Sequence, residues 1–308
     1  MKPQTVRCLI AVALAALPSA LQAQADAHYV PGVEGIKCAT LPPPGFYFRD
    51  YNVFYYADQI NNGAGKSTGG DPQAVVYANV PRVIWITDKK LLGGYYGGDV
   101  VVPVEFQSVK NIPTPGGPFK SSTFGLADMY AENTLSWHPG QFDIGSAVGL
   151  WLPTGASAAP PSTRVGQGFW TPELTLGVTW YPDEAKTWAI SALNRYEFNS
   201  EDRDTHITPG QAWTLEWGVS KAVTKTIDCG LVGYYQQRVT ASKGDYPMGG
   251  GAVMLAQQEF PYSRVAGVGP EVNVEFPIVT ASLRYYYEFM ADNRFQGHTV
   301  TLTLTKRF

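Results

Sequence analysis

The residues best suited to chemistry are the histidines His28, His138, His206 and His298, the full complement of four in 308 residues. A hydrolase would need one of them beside a nucleophile, with a third group orienting the base. Their contexts are separate: His28 near the N-terminus, His138 in a tight turn, His206 in a loop, and His298 on an outward strand register that meets Ser282 only if neighbouring strands pair favourably. No Gly-x-Ser-x-Gly pattern accompanies them, and dispersed histidines do not make a metal site. His206 with Glu201, Asp202 and Asp204 offers cation ligands in a loop, where ordinary solvation is the simpler account. Gly65-Lys66-Ser67 resembles the end of a phosphate-binding loop, but Ile60 stands where that motif requires its first glycine. The expectation is therefore no enzyme, no cofactor and no metal.

The N-terminus sets the compartment. Lys2 and Arg7 precede an apolar run from Cys8 to Leu17, and Ala23-Gln24-Ala25 supplies small residues for cleavage. This predicts a signal peptide over residues 1–25, with an apolar run too short to span a bilayer as a helix. Cys38 and Cys229 then remain, and an oxidising periplasm permits a bond between them. Two separate thiols is the alternative. The net charge of −3, without basic runs, argues against a nucleic-acid partner. Aromatic residues reach 13% while charged residues are only 16%, with 18 Tyr and 8 Trp. That balance suits a chain facing lipid on one side and water on the other.

The elements that must position any site are strands. From about residue 45 the sequence alternates with a period of two, which sends successive side chains to opposite faces. Val300, Leu302, Leu304 and Phe308 alternate with Thr299, Thr301, Thr303, Thr305 and Arg307. Trp170, Leu174, Leu176, Val178 and Trp180 form an outward set with a tryptophan at each end, as interfacial girdles require. Phe142 to Leu152, Trp213 to Val219 and Val279 to Phe289 follow suit. Short connections are expected at Asp88 to Leu91, His138 to Gln141, Pro182 to Ala185, Ala222 to Lys225 and Phe276 to Ile278. Long ones fall at Gln59 to Pro72, Val109 to Ser122, Pro153 to Gly168, Ser200 to Pro209 and Ala241 to Pro261, in strict alternation with the short ones. The predicted fold is all-β: a transmembrane antiparallel barrel of about twelve strands over residues 45–308, in the bacterial outer membrane, with both termini periplasmic.

The inward face is expected to carry Asp50, Asp99, Glu105, Asp128, Glu132, Glu173, Arg195, Glu197, Glu216, Asp228, Arg238, Glu271, Glu275, Arg284 and Glu288. Acids exceed bases in this set, which predicts a hydrated lumen that disfavours anions. Phe54, Tyr56, Tyr130, Tyr234 and Tyr286 are the inward aromatic candidates, either as a stacking path for ligands or as fillers of a narrow bore.

Residues 26–44 do not alternate, and Pro42-Pro43-Pro44 cannot donate to a ladder. This segment is expected to hang in the periplasm or to fold into the lumen as a plug. Its candidates are His28, Tyr29, Pro31, Gly32, Gly35 and Lys37.

The same residues carry a resemblance. His28-Tyr29-x-Pro31-Gly32-x-x-Gly35-Ile36-Lys37 followed by Leu41-Pro42-Pro43-Pro44-Gly45 resembles the opening of the outer-membrane family described as putative MetA-pathway of phenol degradation. Gly125-Leu126-Ala127-Asp128, Trp137-His138, Pro153-Thr154-Gly155, Thr208-Pro209-Gly210 and Gly230 to Tyr235 fit it too, with Ala127 where a glycine is usual. The resemblance implies a transporter-like barrel for passive uptake of small hydrophobic or aromatic compounds. A general porin, and a structural or adhesive barrel with ligand-binding loops, are the alternatives. The implied partners are membrane lipid, a small hydrophobic ligand, and the barrel assembly machinery reading the C-terminal Phe308.

Overall fold

The computed structural model describes residues 27–112, 117–157, 163–247, 253–255 and 261–308. The predicted signal peptide lies outside them. The strands are β1 (Gly45–Ile60), β2 (Gln73–Leu91), β3 (Gly94–Val101), β4 (Val104–Ile112), β5 (Phe119–Leu126), β6 (Met129–Trp137), β7 (Phe142–Leu152) and β8 (Thr171–Trp180). They continue as β9 (Trp188–Glu197), β10 (Ala212–Ala222), β11 (Ile227–Arg238), β12 (Asp245–Pro247), β13 (Val253–Leu255), β14 (Arg264–Glu275), β15 (Thr280–Asp292) and β16 (Phe295–Arg307). All pair antiparallel, and β1 pairs with both β2 and β16, which closes the sheet. β3 and β4 hold one register against β2, so they are one strand interrupted at Val102 and Pro103. β5 and β6 are also one strand, interrupted at Ala127 and Asp128, where the register against the neighbouring strand shifts by one residue. The barrel thus has twelve strands, with β12 and β13 a small separate hairpin.

The alternation in the sequence determines which side chains meet lipid. Trp85, Phe124, Val148, Leu174, Leu176, Leu231 and Leu283 are exposed on the outer face. Glu173, Glu197, Glu216 and Glu288 are fully buried inside. A chain in water could not sustain an apolar belt of that extent, whereas a closed barrel in a bilayer requires it. Phe308 ends the outer belt: its N–H donates to Phe46 O at 2.9 Å, and the two rings lie 5.9 Å apart.

Two details of the expected layout are corrected. The turn anticipated at Asp88 to Leu91 is the end of β2, and the chain reverses at Leu92 and Gly93, both with positive φ (52° and 82°). Glycine and a preceding residue in this conformation make the hairpin turn that matches strand twist. The strict alternation of long and short connections also fails at its last step. β15 and β16 are joined by Asn293 and Arg294 alone, on the end that carries the long loops.

A line of breaks crosses the wall at Pro81 in β2, Pro103 between β3 and β4, and Asp128 between β5 and β6. Proline lacks the N–H that a ladder needs, so it sits in sheets only at edges and irregularities. Two ladder carbonyls on this line are still used: Val102 N donates to Pro81 O at 3.1 Å, and Ala127 N donates to Pro103 O at 2.9 Å. Past the line β5 pairs with β4 alone, because its neighbour β7 stops at Leu152 opposite Met129. The connection from β7 to β8 lies along the vacant edge and is fastened there by side chains. Ser121 Oγ meets Thr163 Oγ1 at 2.7 Å, Gln107 Nε2 donates to Arg164 O, and Met129 N donates to Thr154 Oγ1 at 3.0 Å. Among the described residues, the free edge of β5 is therefore a seam without a backbone ladder.

Candidate functional site

Residues 27–44 run inside the barrel, and their geometry explains the surplus of lumenal acids. An irregular segment leaves backbone N–H groups without ladder partners, and each must be satisfied when buried. Here glutamates from the wall accept them. Glu197 Oε1 accepts from His28 N (2.8 Å) and Tyr29 N (3.1 Å), and Glu216 accepts from Gly32 N (2.9 Å) and Glu34 N (3.2 Å). Glu271 Oε2 accepts from Ile36 N at 2.9 Å, and the Tyr29 hydroxyl donates to Glu216. Lys37 Nζ reaches Asp228 Oδ2 at 2.6 Å. Pro31 is buried and leads into Gly32, where φ is +87°. A Cβ on Gly32 would strike the rings of Tyr286 and Tyr234, and one on Gly35 (φ +70°) would collide with the Glu271 carboxylate. These two glycines are therefore required by conformation and by space.

Glu34 is the electrostatic centre of the segment. Its carboxylate accepts from Arg82 Nη1 at 2.8 Å, Arg49 Nη1 at 3.2 Å and Arg195 Nη2 at 3.5 Å. Burial would push this carboxyl upward, but the three guanidinium groups outweigh it and hold its pKa at about 2. Arg82 also meets Asp99 and Glu132 at 2.7 Å each, and Arg195 meets Glu173 at 2.5 Å. The charges of this network are thus spent on one another and on the segment. Arg195 also lies over the Tyr29 ring, 4.3 Å from its centroid.

At the outer end of the segment, His28 is buried between three walls. Its Nε2 meets Asp128 Oδ2 at 2.9 Å and its Nδ1 meets Thr171 Oγ1 at 2.8 Å, while the ring stacks on Trp151 at 5.5 Å. Burial lowers the pKa of His28, opposed by Asp128. Asp128 also accepts from Gly155 N (2.8 Å) and Gln167 N (2.6 Å), so one carboxylate ties the segment to the loop that lines the seam.

Between this outer end and the line of breaks lies a cavity of about 130 Å³. Val30, Val33, Val53, Val76, Ala78, Val80, Val101, Pro103, Ala127, Val165, Tyr130 and Trp151 give it apolar walls; Glu34, Arg82 and Arg195 form its inner end, and Glu105 and Asp128 lie at the seam. An engineered apolar cavity of about 150 Å³ holds benzene, so this space suits a molecule of one ring. A smaller cavity of about 50 Å³ lies on the other side of the same three charged residues and is lined by Cys38, Thr40, Asp99 and Thr134 together with Leu41, Ile84 and Leu193. Glu34, Arg82 and Arg195 are shared by both cavities and separate them.

The structure distributes the sequence candidates unevenly. Asp128, Tyr130 and Arg195 line the apolar cavity, and Glu132 and Glu173 sit behind it, where the single Tyr130 hydroxyl hydrogen is shared between them at Oη–O distances of 2.8 and 2.9 Å. Glu197 holds the segment. Tyr234 and Tyr286 pack at 5.0 Å across the bore, with Tyr234 Oη donating to Glu288 Oε1 at 2.9 Å; they wall the segment and do not line the cavity. Arg284 Nη1 donates to Val33 O, and Arg238 is buried on the inward face of β11. Phe54, Tyr56 and Asp50 are corrections, because all three face outward. Phe54 is 46% exposed while its neighbour Tyr55 is fully buried. β1 bears aromatics on both faces, so hydrophobic alternation could not set its register; Arg49, which turns inward to Glu34, was the distinguishing residue. The cysteines are both free. Cys38 lies in the lumen with Sγ 3.4 Å from Ser191 Oγ, while Cys229 is exposed on the outer face of β11, so the wall stands between them. Arg82, Trp151 and Val165 complete the cavity without having been singled out. Among them Arg82 carried a signal, as the single charged residue between Gln73 and Thr87.

Structural comparison places the fold among outer-membrane barrels. The COG4313 outer membrane channel from Pseudomonas putida F1 matches with a TM-score of 0.74 at 13% identity, over 91% of this chain and 100% of that one. The β domain of the Bordetella autotransporter BrkA (TM-score 0.48, 10% identity, 86% and 99% coverage) and a mutant of the TodX monoaromatic hydrocarbon channel (0.48, 10%, 87% and 91%) are more distant. No curated protein sequence matches. A family model spans residues 57–304, and on that match the chain belongs to the family described as putative MetA-pathway of phenol degradation.

Proposed function

We propose that this protein is an outer-membrane channel for passive uptake of small hydrophobic molecules of about one aromatic ring. The observation that carries the reading is the apolar cavity of about 130 Å³ enclosed between the N-terminal segment and the broken wall. The segment fills the axis of the bore, so a general porin is the poorer account. The cavity instead borders the seam between β5 and the β7–β8 connection, where side-chain hydrogen bonds replace the ladder. Opening that seam costs a few side-chain bonds, each worth about 1 kcal/mol net, and releases an apolar molecule into the bilayer. The family's description agrees with this reading. The N-terminal segment acts as a plug, and the C-terminus lies on the periplasmic side with Phe308 as the recognition end for barrel assembly. The expected periplasmic N-terminus is corrected, because His28 lies at the long-loop end of the lumen beside Asp128 and Thr171.

A Ser121→Cys, Thr163→Cys pair tests the route, because the two side-chain oxygens already stand 2.7 Å apart. Toluene flux into proteoliposomes should fall when the pair is oxidised and return on reduction. Equal flux in both states would refute passage through the seam.

A further inference from the structure

The apolar cavity carries one acid that the protein itself does not engage. Glu34 is held by three arginines. Asp128 is held by His28 and two backbone N–H groups. Glu105 lines the same cavity, and among the described residues it makes no hydrogen bond or ion pair. Its position is set by the register of β4: it pairs with Ala78 of β2 and Gly125 of β5, two small residues that leave the carboxylate clear. Arg82 and Ala78 are four residues apart on β2 and both line the cavity, which places Glu105 roughly 13 Å from the arginine end. Valines and Pro103 occupy the space between.

A carboxyl group in an apolar recess without a hydrogen-bond partner is unfavourable, and a ligand that brings one relieves it. We propose that Glu105 selects the ligand: a small molecule with an apolar ring and a hydroxyl or amino donor, whose donor hydrogen-bonds to a Glu105 carboxyl oxygen while the ring lies against Val53, Val80 and Val101. The proposal rests on the cavity being the ligand site. It separates three kinds of one-ring molecule. A plain hydrocarbon fills the walls and leaves Glu105 unsatisfied. A carboxylate would be desolvated with no free cation to receive it, because Arg82 and Arg195 at the far end are already engaged by Glu34, Asp99, Glu132 and Glu173. A phenol or an aniline satisfies both the walls and the acid.

The test measures affinities of phenol, toluene and benzoate for the refolded full-length protein, in wild type, Glu105→Leu and Glu105→Gln. Heat-modifiable migration on a gel confirms folding of each. A net hydrogen bond of about 1 kcal/mol in a buried site corresponds to roughly a fivefold preference. Glu105→Leu should lower the phenol-to-toluene affinity ratio by about that factor without weakening toluene. Glu105→Gln, which keeps a carbonyl acceptor and nearly the same shape, should retain most of the wild-type ratio. Benzoate should bind weakest in wild type. An unchanged phenol-to-toluene ratio in folded Glu105→Leu overturns the role of Glu105 and leaves the cavity as a ligand site. Failure of toluene and phenol alike to bind folded wild type overturns the cavity reading, and this inference with it.

Discussion

Replacing Glu34 by Gln removes the charge that seats the N-terminal segment while keeping nearly its shape. In the native state the carboxylate meets Arg82, Arg49 and Arg195 at 2.8, 3.2 and 3.5 Å. Breaking a buried ion pair outright costs about 3–5 kcal/mol, but Arg82 retains Asp99 and Glu132, and Arg195 retains Glu173. The loss is therefore nearer that of one charged hydrogen bond, about 2 kcal/mol. The pKa leads to a similar figure: a fall from the ordinary 4.5 to about 2 corresponds to about 3 kcal/mol of preference for the charged form. A local opening equilibrium weakened by that much becomes at least ~30-fold more populated. Cys38, on the same segment, reports it. Its thiol is hydrogen-bonded to Ser191, and burial pushes its pKa up, so it is protected while the segment is seated. In a Cys229→Ser background, the rate of Cys38 modification by a water-soluble thiol reagent should rise by about the same factor, with more frequent open events in planar-bilayer recordings. An unchanged rate and unchanged recordings would show that Glu34 does not hold the segment.

Acid should loosen the same seat in two stages. His28 has a lowered pKa, so its contribution is present above the ordinary value of 6.5 and declines as pH falls below it; His28→Asn should remove this first stage of Cys38 exposure. Glu34, also depressed, contributes fully above 4.5, and its share is lost as pH falls from there towards about 2; Glu34→Gln should abolish that second stage, and a pH-independent Cys38 rate in wild type would contradict both. Gly35→Ala places a Cβ against Glu271 at a positive φ, costing at least about 1–2 kcal/mol, and should raise Cys38 exposure with little change in barrel melting. Ala78→Phe fills the apolar cavity from the wall; toluene flux should fall while Cys38 protection stays as in wild type, and undiminished flux would remove the cavity from the route.

The barrel was legible because lipid and lumen impose opposite demands on alternate residues. Trp170 to Trp180 and Val300 to Leu304 declare their faces unambiguously. β1 did not, since Phe46, Phe48 and Phe54 outside alternate with Tyr47, Tyr51 and Tyr55 inside. The inward acids were legible as a set, but their task was not. Read as a lining they suggested ion selectivity, whereas Glu197, Glu216 and Glu271 answer the backbone N–H groups of a segment that has no ladder of its own. The cavity was hidden for a different reason. It exists where Pro81, Pro103 and Asp128 fall side by side in neighbouring strands, and adjacency across a sheet is not written in the spacing of one chain. Trp151 points inward there and stacks on His28, a contact between residues 123 positions apart.

The central claim is that hydrophobic molecules pass while the axial bore stays closed. It is tested most directly by measuring toluene flux and ion conductance on one preparation of the refolded wild-type protein. The account predicts saturable toluene entry into proteoliposomes together with low, intermittent ion conductance that rises when residues 27–44 are deleted. Large steady conductance in wild type, unaltered by that deletion and unaccompanied by saturable toluene entry, would contradict it.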